Sequence, residues 1–249
     1  MLGSICSFLD EFLSIREVED YPNALNGLQL ENDGVVTRIG AAVDASESII
    51  EMAVRGQVDL LIVHHGLFWG GLAGISGPCY RKLKRALSSN LAIYSAHLPL
   101  DMHCEVGNNI LLARALDLGD PEPFLLHKGR ALGYAISTSV DRAELVTRLK
   151  RILGRELWIC PSGPAQVSRV GIVTGSAGSE LAKVGAEGVD TFVTGEGPHY
   201  TFSLAEELGM NLIYGGHYAT ETFGVRALAE RLGSKFDLPW IFIDHPSGL

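Results

Sequence analysis

Two adjacent histidines, His64 and His65, close an unbroken apolar run, Asp59-Leu-Leu-Ile-Val-His-His-Gly66. A run of Leu and β-branched residues without polar alternation predicts a strand buried on both faces, as in a parallel sheet. Such a strand delivers its last residues to the carboxyl edge, where open α/β sheets bind ligands. Paired imidazoles there suit a metal ion. Adjacent strand residues point to opposite faces. So either the chain leaves strand geometry by His65, helped by Gly66, or the two histidines serve different ions. The plain alternative is two unrelated polar residues at a strand end.

Three other predicted strands end the same way, in His97 with Asp101, in Glu196 with His199, and in His217 with Glu221. An internal repeat accounts for the pattern. Arg38-Ile-Gly-Ala-Ala-Val resembles Arg169-Val-Gly-Ile-Val-Thr, and Asp59-Leu-Leu-Ile-Val-His-His resembles Asp190-Thr-Phe-Val-Thr-Gly-Glu at the same offset. Asn90-Leu-Ala-Ile-Tyr-Ser-Ala-His97 resembles Asn211-Leu-Ile-Tyr-Gly-Gly-His217, each followed four residues on by an acid. The expected fold class is therefore α/β, with two similar lobes and a metal site in the cleft between them. The expected lobes are residues 1–128, joined in one arrangement by the C-terminal strand 236–249, and residues 129–249.

The elements that must position these residues follow from periodicity. Residues 4–15 carry a helical stripe, with Ser4 as a plausible cap. Asn23 to Leu30 reads as a turn, in which Asn26 and Gln29 could line a pocket. Strands are expected at 38–44, 60–63, 91–96, 131–137, 157–160, 169–174, 189–194, 211–214 and 240–243. Helices are expected at 47–55, with Asp44 or Ser46 as cap, and at 80–87, 109–116, 143–152, 181–187, 200–208 and 221–232. Leu67 to Gly77 is a glycine-rich loop near the site. Gly175-Ser-Ala-Gly178 could cradle an anion on backbone amides. The basic helix at 80–87 reads as a solvated face or, less simply, a phosphate contact.

Composition narrows the class. With 249 residues, 47% hydrophobic and 20% charged, the chain can bury a substantial core. A net charge of −9 argues against non-specific nucleic-acid binding. The four cysteines form no C-x-x-C pair and read as reduced thiols. The N-terminal residues show no signal-peptide pattern, and no apolar run is long enough for a membrane span. The expected location is cytoplasmic.

Imidazole and carboxylate donors without cysteine suit divalent Fe, Mn, Zn, Co or Ni. His217 and Glu221 share a face if their segment is helical. A carboxylate can bridge two ions, and ions about 3.5–4 Å apart activate water and clamp oxygens in hydrolysis. Three histidines and two carboxylates suffice for two ions that keep positions open.

Together, Asn26-Gly-Leu-Gln, Val63-His-His-Gly, Ser95-Ala-His-Leu-Pro-Leu-Asp101, Gly107-Asn-Asn, Thr194-Gly-Glu-Gly-Pro-His199 and Gly216-His-Tyr-Ala-Thr-Glu-Thr-Phe-Gly224 resemble a family of dinuclear-metal-centre proteins. These are known as GTP cyclohydrolase I type 2 homologues, or Nif-three-like proteins, and the resemblance covers nearly the whole chain. It implies metal ligands at His64, His65, Asp101, His217 and Glu221, with Glu221 bridging and one residue of the 64/65 pair on each ion. It also implies two α/β lobes and a homohexamer, a ring of dimers. His97, Glu196 and His199 fall near the family's site and are candidates for proton transfer or ligand support. His103 has no counterpart in the family pattern and is left unassigned. Longer members insert an extra domain for which this chain has no room.

The function so implied is a dinuclear metal-dependent hydrolase acting on a small molecule, either GTP or another nucleotide or phosphorylated compound. The family name implies opening of the guanine ring at C8 with loss of formate. No G-x-x-x-x-G-K-[ST] motif is present to hold phosphates. The alternative is a non-catalytic metal-binding or adaptor protein.

Overall fold

The computed structural model describes residues 1–69 and 74–249, so part of the glycine-rich loop expected at 67–77 lies outside the described residues. In chain order the strands of the first half are β1 (Gly27–Leu30), β2 (Ile39–Asp44), β3 (Leu60–His65) and β4 (Ala92–Ser95). They are followed by β5 (Glu122–His127), β6 (Arg130–Asp141), β7 (Trp158–Pro161), β8 (Gln166–Ile172), β9 (Thr191–Thr194), β10 (Asn211–Tyr214) and β11 (Trp240–Phe242). The chain forms two compact units, Met1–Leu100 with Gly224–His245, and Asp101–Phe223 with Pro246–Leu249.

The first unit holds a sheet in the order β1-β4-β3-β2-β11. Strands β4, β3, β2 and β11 run parallel, and β1 adds antiparallel to β4. Strand β3 is central, which is why Leu60, Leu61, Ile62 and Val63 are wholly buried and carry no polar alternation. Helix Glu47–Arg55 crosses from β2 to β3. The Ser46 hydroxyl accepts from Ile49 N at 3.2 Å, and Ile49, Ile50 and Ala53 face the sheet. Ser46 is thus the cap, and Asp44 is released for another task.

The second unit holds a sheet in the order β5-β6-β8-β9-β10-β7. Strands β8, β9 and β10 are parallel, β7 is antiparallel to β10, and β5, β6 and β8 form an antiparallel meander. Asp141 caps helix Arg142–Leu153 by accepting from Ala143 N at 2.7 Å.

The repeat is visible inside each sheet. Strands β2, β3 and β4 match β8, β9 and β10, and each set ends on an antiparallel edge strand. The Asp59 carboxylate accepts from Thr37 N and Thr37 Oγ1, both at 2.6 Å, and from Arg38 N at 3.1 Å. The Asp190 carboxylate repeats this with Ser168 N at 2.8 Å, Ser168 Oγ at 2.5 Å and Arg169 N at 3.1 Å. Ladder registers correct the third echo. Leu60 opposes Ala92 while Thr191 opposes Asn211, so Ala92, not Asn90, matches Asn211. Carried forward, His97 aligns with Gly216, and His217 stands one residue further along.

Other expectations shift. Glu122–His127 is a strand rather than a connector, because it pairs with β6. That places residues 101–128 with the second unit, and the boundary expected at 128 falls at 100. Trp240–Phe242 pairs in parallel with β2 of the first unit. The first helix spans Leu2–Phe12. It starts earlier than expected because Leu2 is buried, so Ser4 sits inside its first turn rather than capping it. Gly27–Leu30 is an edge strand rather than a turn.

Candidate metal centre

In the first unit the strand geometry of β3 continues through His65, which opposes Asp44 on β2. The two rings nevertheless lie 4.7 Å apart. Each is tied to a different neighbouring strand. His64, wholly buried, sets Nδ1 2.9 Å from the carbonyl of Ala96, just beyond β4. His65 sets Nδ1 2.8 Å from Oδ1 of Asp44 on the other side. His97 follows β4 and sets Nδ1 2.9 Å from Oδ1 of Asp20. One ring nitrogen from each of His64, His65 and His97 falls within 4.8 Å of the others.

Carbonyls and ionised carboxylates only accept, so each of these Nδ1 atoms carries the hydrogen. The Nε2 of a neutral ring then holds the lone pair. This is the arrangement in which a histidine ligates a metal, its other nitrogen anchored on an acceptor. His103 shows the contrast. Its Nδ1 accepts from Glu105 N at 3.2 Å and Val106 N at 3.3 Å, so its hydrogen is on Nε2 and it shapes the turn before helix Asn108–Ala115.

Asp20 is itself held by Asn26 Nδ2 at 2.8 Å, Leu98 N at 3.0 Å and Tyr21 N at 2.7 Å. Burial pushes its carboxyl up, but His97 outweighs this and holds it below the usual value. Asn26 Oδ1 also accepts from His97 N at 2.7 Å. Trp69 stands edge-on to His97 with ring centres 4.8 Å apart.

In the second unit Asp101 ends the short helix Leu98–Asp101 and is buried. Asn108 Nδ2 donates to Asp101 Oδ1 at 2.8 Å. Asn109 Nδ2 donates to the Asp101 carbonyl at 3.1 Å, while Asn109 Oδ1 accepts from Thr174 N at 2.7 Å. An Asp101 oxygen lies within 4.8 Å of one from Glu221. His217 opens the helix His217–Thr220, and Glu221 follows it at φ −107°, where the helical run breaks. His217 Nε2 is 3.1 Å from Glu221 Oε2, and His217 Nδ1 is 2.8 Å from Glu196 Oε1. Burial opposes charge on His217, but Glu221 and then Glu196 prevail and push its pKa up to about 9. Gly175, at φ +69°, leaves the space beside Glu221, since a Cβ there would overlap Oε1.

One sequence reading is corrected here. The turn at 175–178 is no anion cradle, because Gly175 N donates to Thr220 Oγ1, Ala177 N to Thr194 Oγ1 and Gly178 N to the Glu196 carbonyl. Its amides support the loops around His217 instead. On the basic helix Arg81 is committed to Glu47 by a two-pronged pair at 2.8 and 3.0 Å. His199 is exposed and lines a different pocket, with Trp158, Phe202 and Tyr214. Asp20, Asp44, Asn108, Asn109 and Gly175 escaped as site residues, since single Asp, Asn and Gly residues read as caps and turns. The signal available was weaker: Asp44 ends β2 and Gly175 follows β8, the matching strand of the repeat, while Asn108 and Asn109 come seven and eight residues after Asp101.

A family model described as Duf34/NIF3 (NGG1p interacting factor 3) matches residues 1–247. The chain belongs to the Duf34/NIF3 family. Family relatives include a Deinococcus radiodurans protein named GTP cyclohydrolase 1 type 2 homolog, 41% identical over 97% of this chain and 92% of its own length. A Pyrococcus abyssi protein of the same name is 40% identical over 98% of both chains. Among solved structures, TTHA1606 from Thermus thermophilus is 42% identical with TM-score 0.92, covering 100% of this chain and 99% of that one. Reduced HcgD from Methanocaldococcus jannaschii is 28% identical with TM-score 0.85, covering 98% and 97%. No helix among the described residues is long and apolar enough to cross a membrane.

Proposed function

We propose that this Duf34/NIF3 protein is a dinuclear metal-dependent hydrolase of a small-molecule substrate, a nucleotide or other phosphorylated compound. His64, His65, Asp101, His217 and Glu221 are the ligands, and the oligomer implied by the resemblance is a hexamer. The observation that carries the reading is the tautomer lock. Three imidazoles, His64, His65 and His97, each commit Nδ1 to an oxygen acceptor, which leaves Nε2 as the ligating nitrogen, and His217 sets Nδ1 on Glu196 with Nε2 beside Glu221. A donor set of imidazole and carboxylate, with no thiolate, fits divalent Fe, Mn, Zn, Co or Ni. Bound ions would supply Lewis acidity and activated water.

The protein's own part is orientation. Ala96, Asp44 and Glu196 aim His64, His65 and His217, and Asn108 aims Asp101. Glu196 acts through His217 rather than on substrate. His97, held by Asp20, is the group that takes or gives a proton at Nε2. The names of the Deinococcus and Pyrococcus relatives support a nucleotide substrate.

The test is metal content per chain by elemental analysis of wild type and Glu221→Gln, purified without a histidine tag. About two ions in wild type, lost together with turnover of phosphoesters or GTP in the variant, is the expected result. A metal-free chain after reconstitution with Mn, Fe or Zn would end the proposal.

A further inference from the structure

The last four residues, Pro246–Leu249, belong to the second unit, whereas the residues that lead into them, Gly224–His245, belong to the first. This short tail is fixed at two points. Arg155 Nη2 donates to the Gly248 carbonyl at 3.0 Å, and Tyr218 N donates to the Leu249 carbonyl at 3.2 Å. Gly248, at φ +86°, supplies the bend, and Leu249 N donates to Ser247 Oγ at 3.2 Å.

Both contacts bear on the turn that carries His217. Arg155 follows the left-handed Gly154 that ends helix Arg142–Leu153. Its guanidinium lies against Gly216, where a Cβ would overlap Nη1. Gly216, at φ +93°, caps helix His217–Thr220. Tyr218, the residue after His217, is buried. Amides in the first turn of a helix have no acceptor within it, so a buried one takes its acceptor from elsewhere. Here the tail provides it. The Tyr218 carbonyl in turn accepts from Glu221 N at 3.2 Å. A hold on Tyr218 therefore reaches the backbone of both His217 and Glu221.

We propose that Arg155 and the tail at 246–249 form a clamp on the turn at 216–218, and that Arg155 is a positioning residue for the metal ligands His217 and Glu221. The direction of the His217 ring is set at both ends. Glu196 fixes it at Nδ1, and the turn fixes the backbone from which the side chain leaves. With the tail undocked the turn opens, and Nε2 loses its bearing on Glu221 although the Glu196 carboxylate is still in place. The clamp itself is independent of the dinuclear reading. Its effect on metal binding rests on that reading.

The experiment compares full-length wild type with Arg155→Ala and with a chain ending at His245, using cobalt(II) as probe. Hydrogen exchange of the Tyr218 amide is followed by NMR in the metal-free proteins, with the amides of Leu212 and Ile213 on β10 as the internal reference. In both variants Tyr218 should exchange about tenfold faster or more while the reference amides keep their wild-type rates. Cobalt should bind about tenfold more weakly or worse, with an altered visible spectrum. Unchanged Tyr218 exchange in both variants would overturn the inference. So would equal acceleration at Leu212 and Ile213, which means general loosening, or cobalt affinity and spectrum that stay at wild type while Tyr218 is released. If wild type itself takes up no cobalt, the dinuclear reading fails, the positioning role falls with it, and faster Tyr218 exchange still establishes the clamp.

Discussion

Glu196 Oε1 lies 2.8 Å from Nδ1 of His217, and this contact turns Nε2 of the ring toward Glu221, 3.1 Å away. A proton on His217 then sits between two carboxylates, and a metal ion bound at Nε2 would displace it.

Proton release follows from that arrangement. The His217 pKa rises from 6.5 to about 9, so near pH 7 the metal-free ring is charged. Metal loading is expected to release about one proton from His217 per chain, measurable by calorimetry in two buffers of different ionisation enthalpy. The same shift sets a stability window. Its contribution is complete below pH 6.5 and is lost as pH rises through about 9. The Tm of the metal-free protein should fall across that window, and less steeply in Glu196→Gln. That variant should also bind metal about 10–100-fold more weakly.

Gly175→Ala should damage the site without touching a ligand's own identity. The new methyl would overlap Glu221 Oε1, and the backbone is left-handed at φ +69°. Strain of about 1 kcal/mol is expected from the backbone alone. Elemental analysis should show less than half the wild-type metal. Full occupancy would mean that Glu221 relaxes freely.

Asp20→Asn tests the anchor of His97. The carboxylate accepts from Tyr21, Asn26, His97 and Leu98. Replacing it should cost about 1–3 kcal/mol near neutral pH, read by chemical denaturation. Its carboxyl is held below 3.8, so the wild-type advantage is present above that pH and disappears as acid protonates Asp20. A loss of stability unchanged in strong acid would contradict the assignment.

Asp59→Asn and Asp190→Asn test the repeat. Each aspartate ties the start of its neighbouring strand through the same three donors. Both variants should lower Tm by similar amounts, each losing about 1–3 kcal/mol. A neutral result at one position alone would show that the equivalence is geometric and not energetic.

Much of this fold could be read in advance because its strands are short apolar runs with polar ends. The apolar run at 60–63 reads as a strand buried on both faces, and Ser46, one of the two caps expected for the helix at 47, is the one used. Glu122–His127 was hidden because Pro123 and the acids around it look like a connector, and only its pairing with β6 makes it a strand. His64, His65, His97 and His217 announce themselves by type. Their anchors do not, because Asp20 and Asp44 lie 77 and 21 residues from the histidines they hold. The echo of His97 and His217 misled by one residue, since matched letters carry no ladder register and only the pairing of β3 with β4 and of β9 with β10 supplies it.

The tautomer locks also decide when order is acquired. A side chain that is free to rotate loses roughly 0.5–1.5 kcal/mol of entropy when a ligand immobilises it. Here His64, His65, His97 and His217 are already fixed by Ala96, Asp44, Asp20 and Glu196. Their freedom is surrendered as the strands and loops assemble, so an arriving ion meets rings that no longer have to be stilled. Under the metal-binding reading, the order of these rings is acquired during folding rather than on binding.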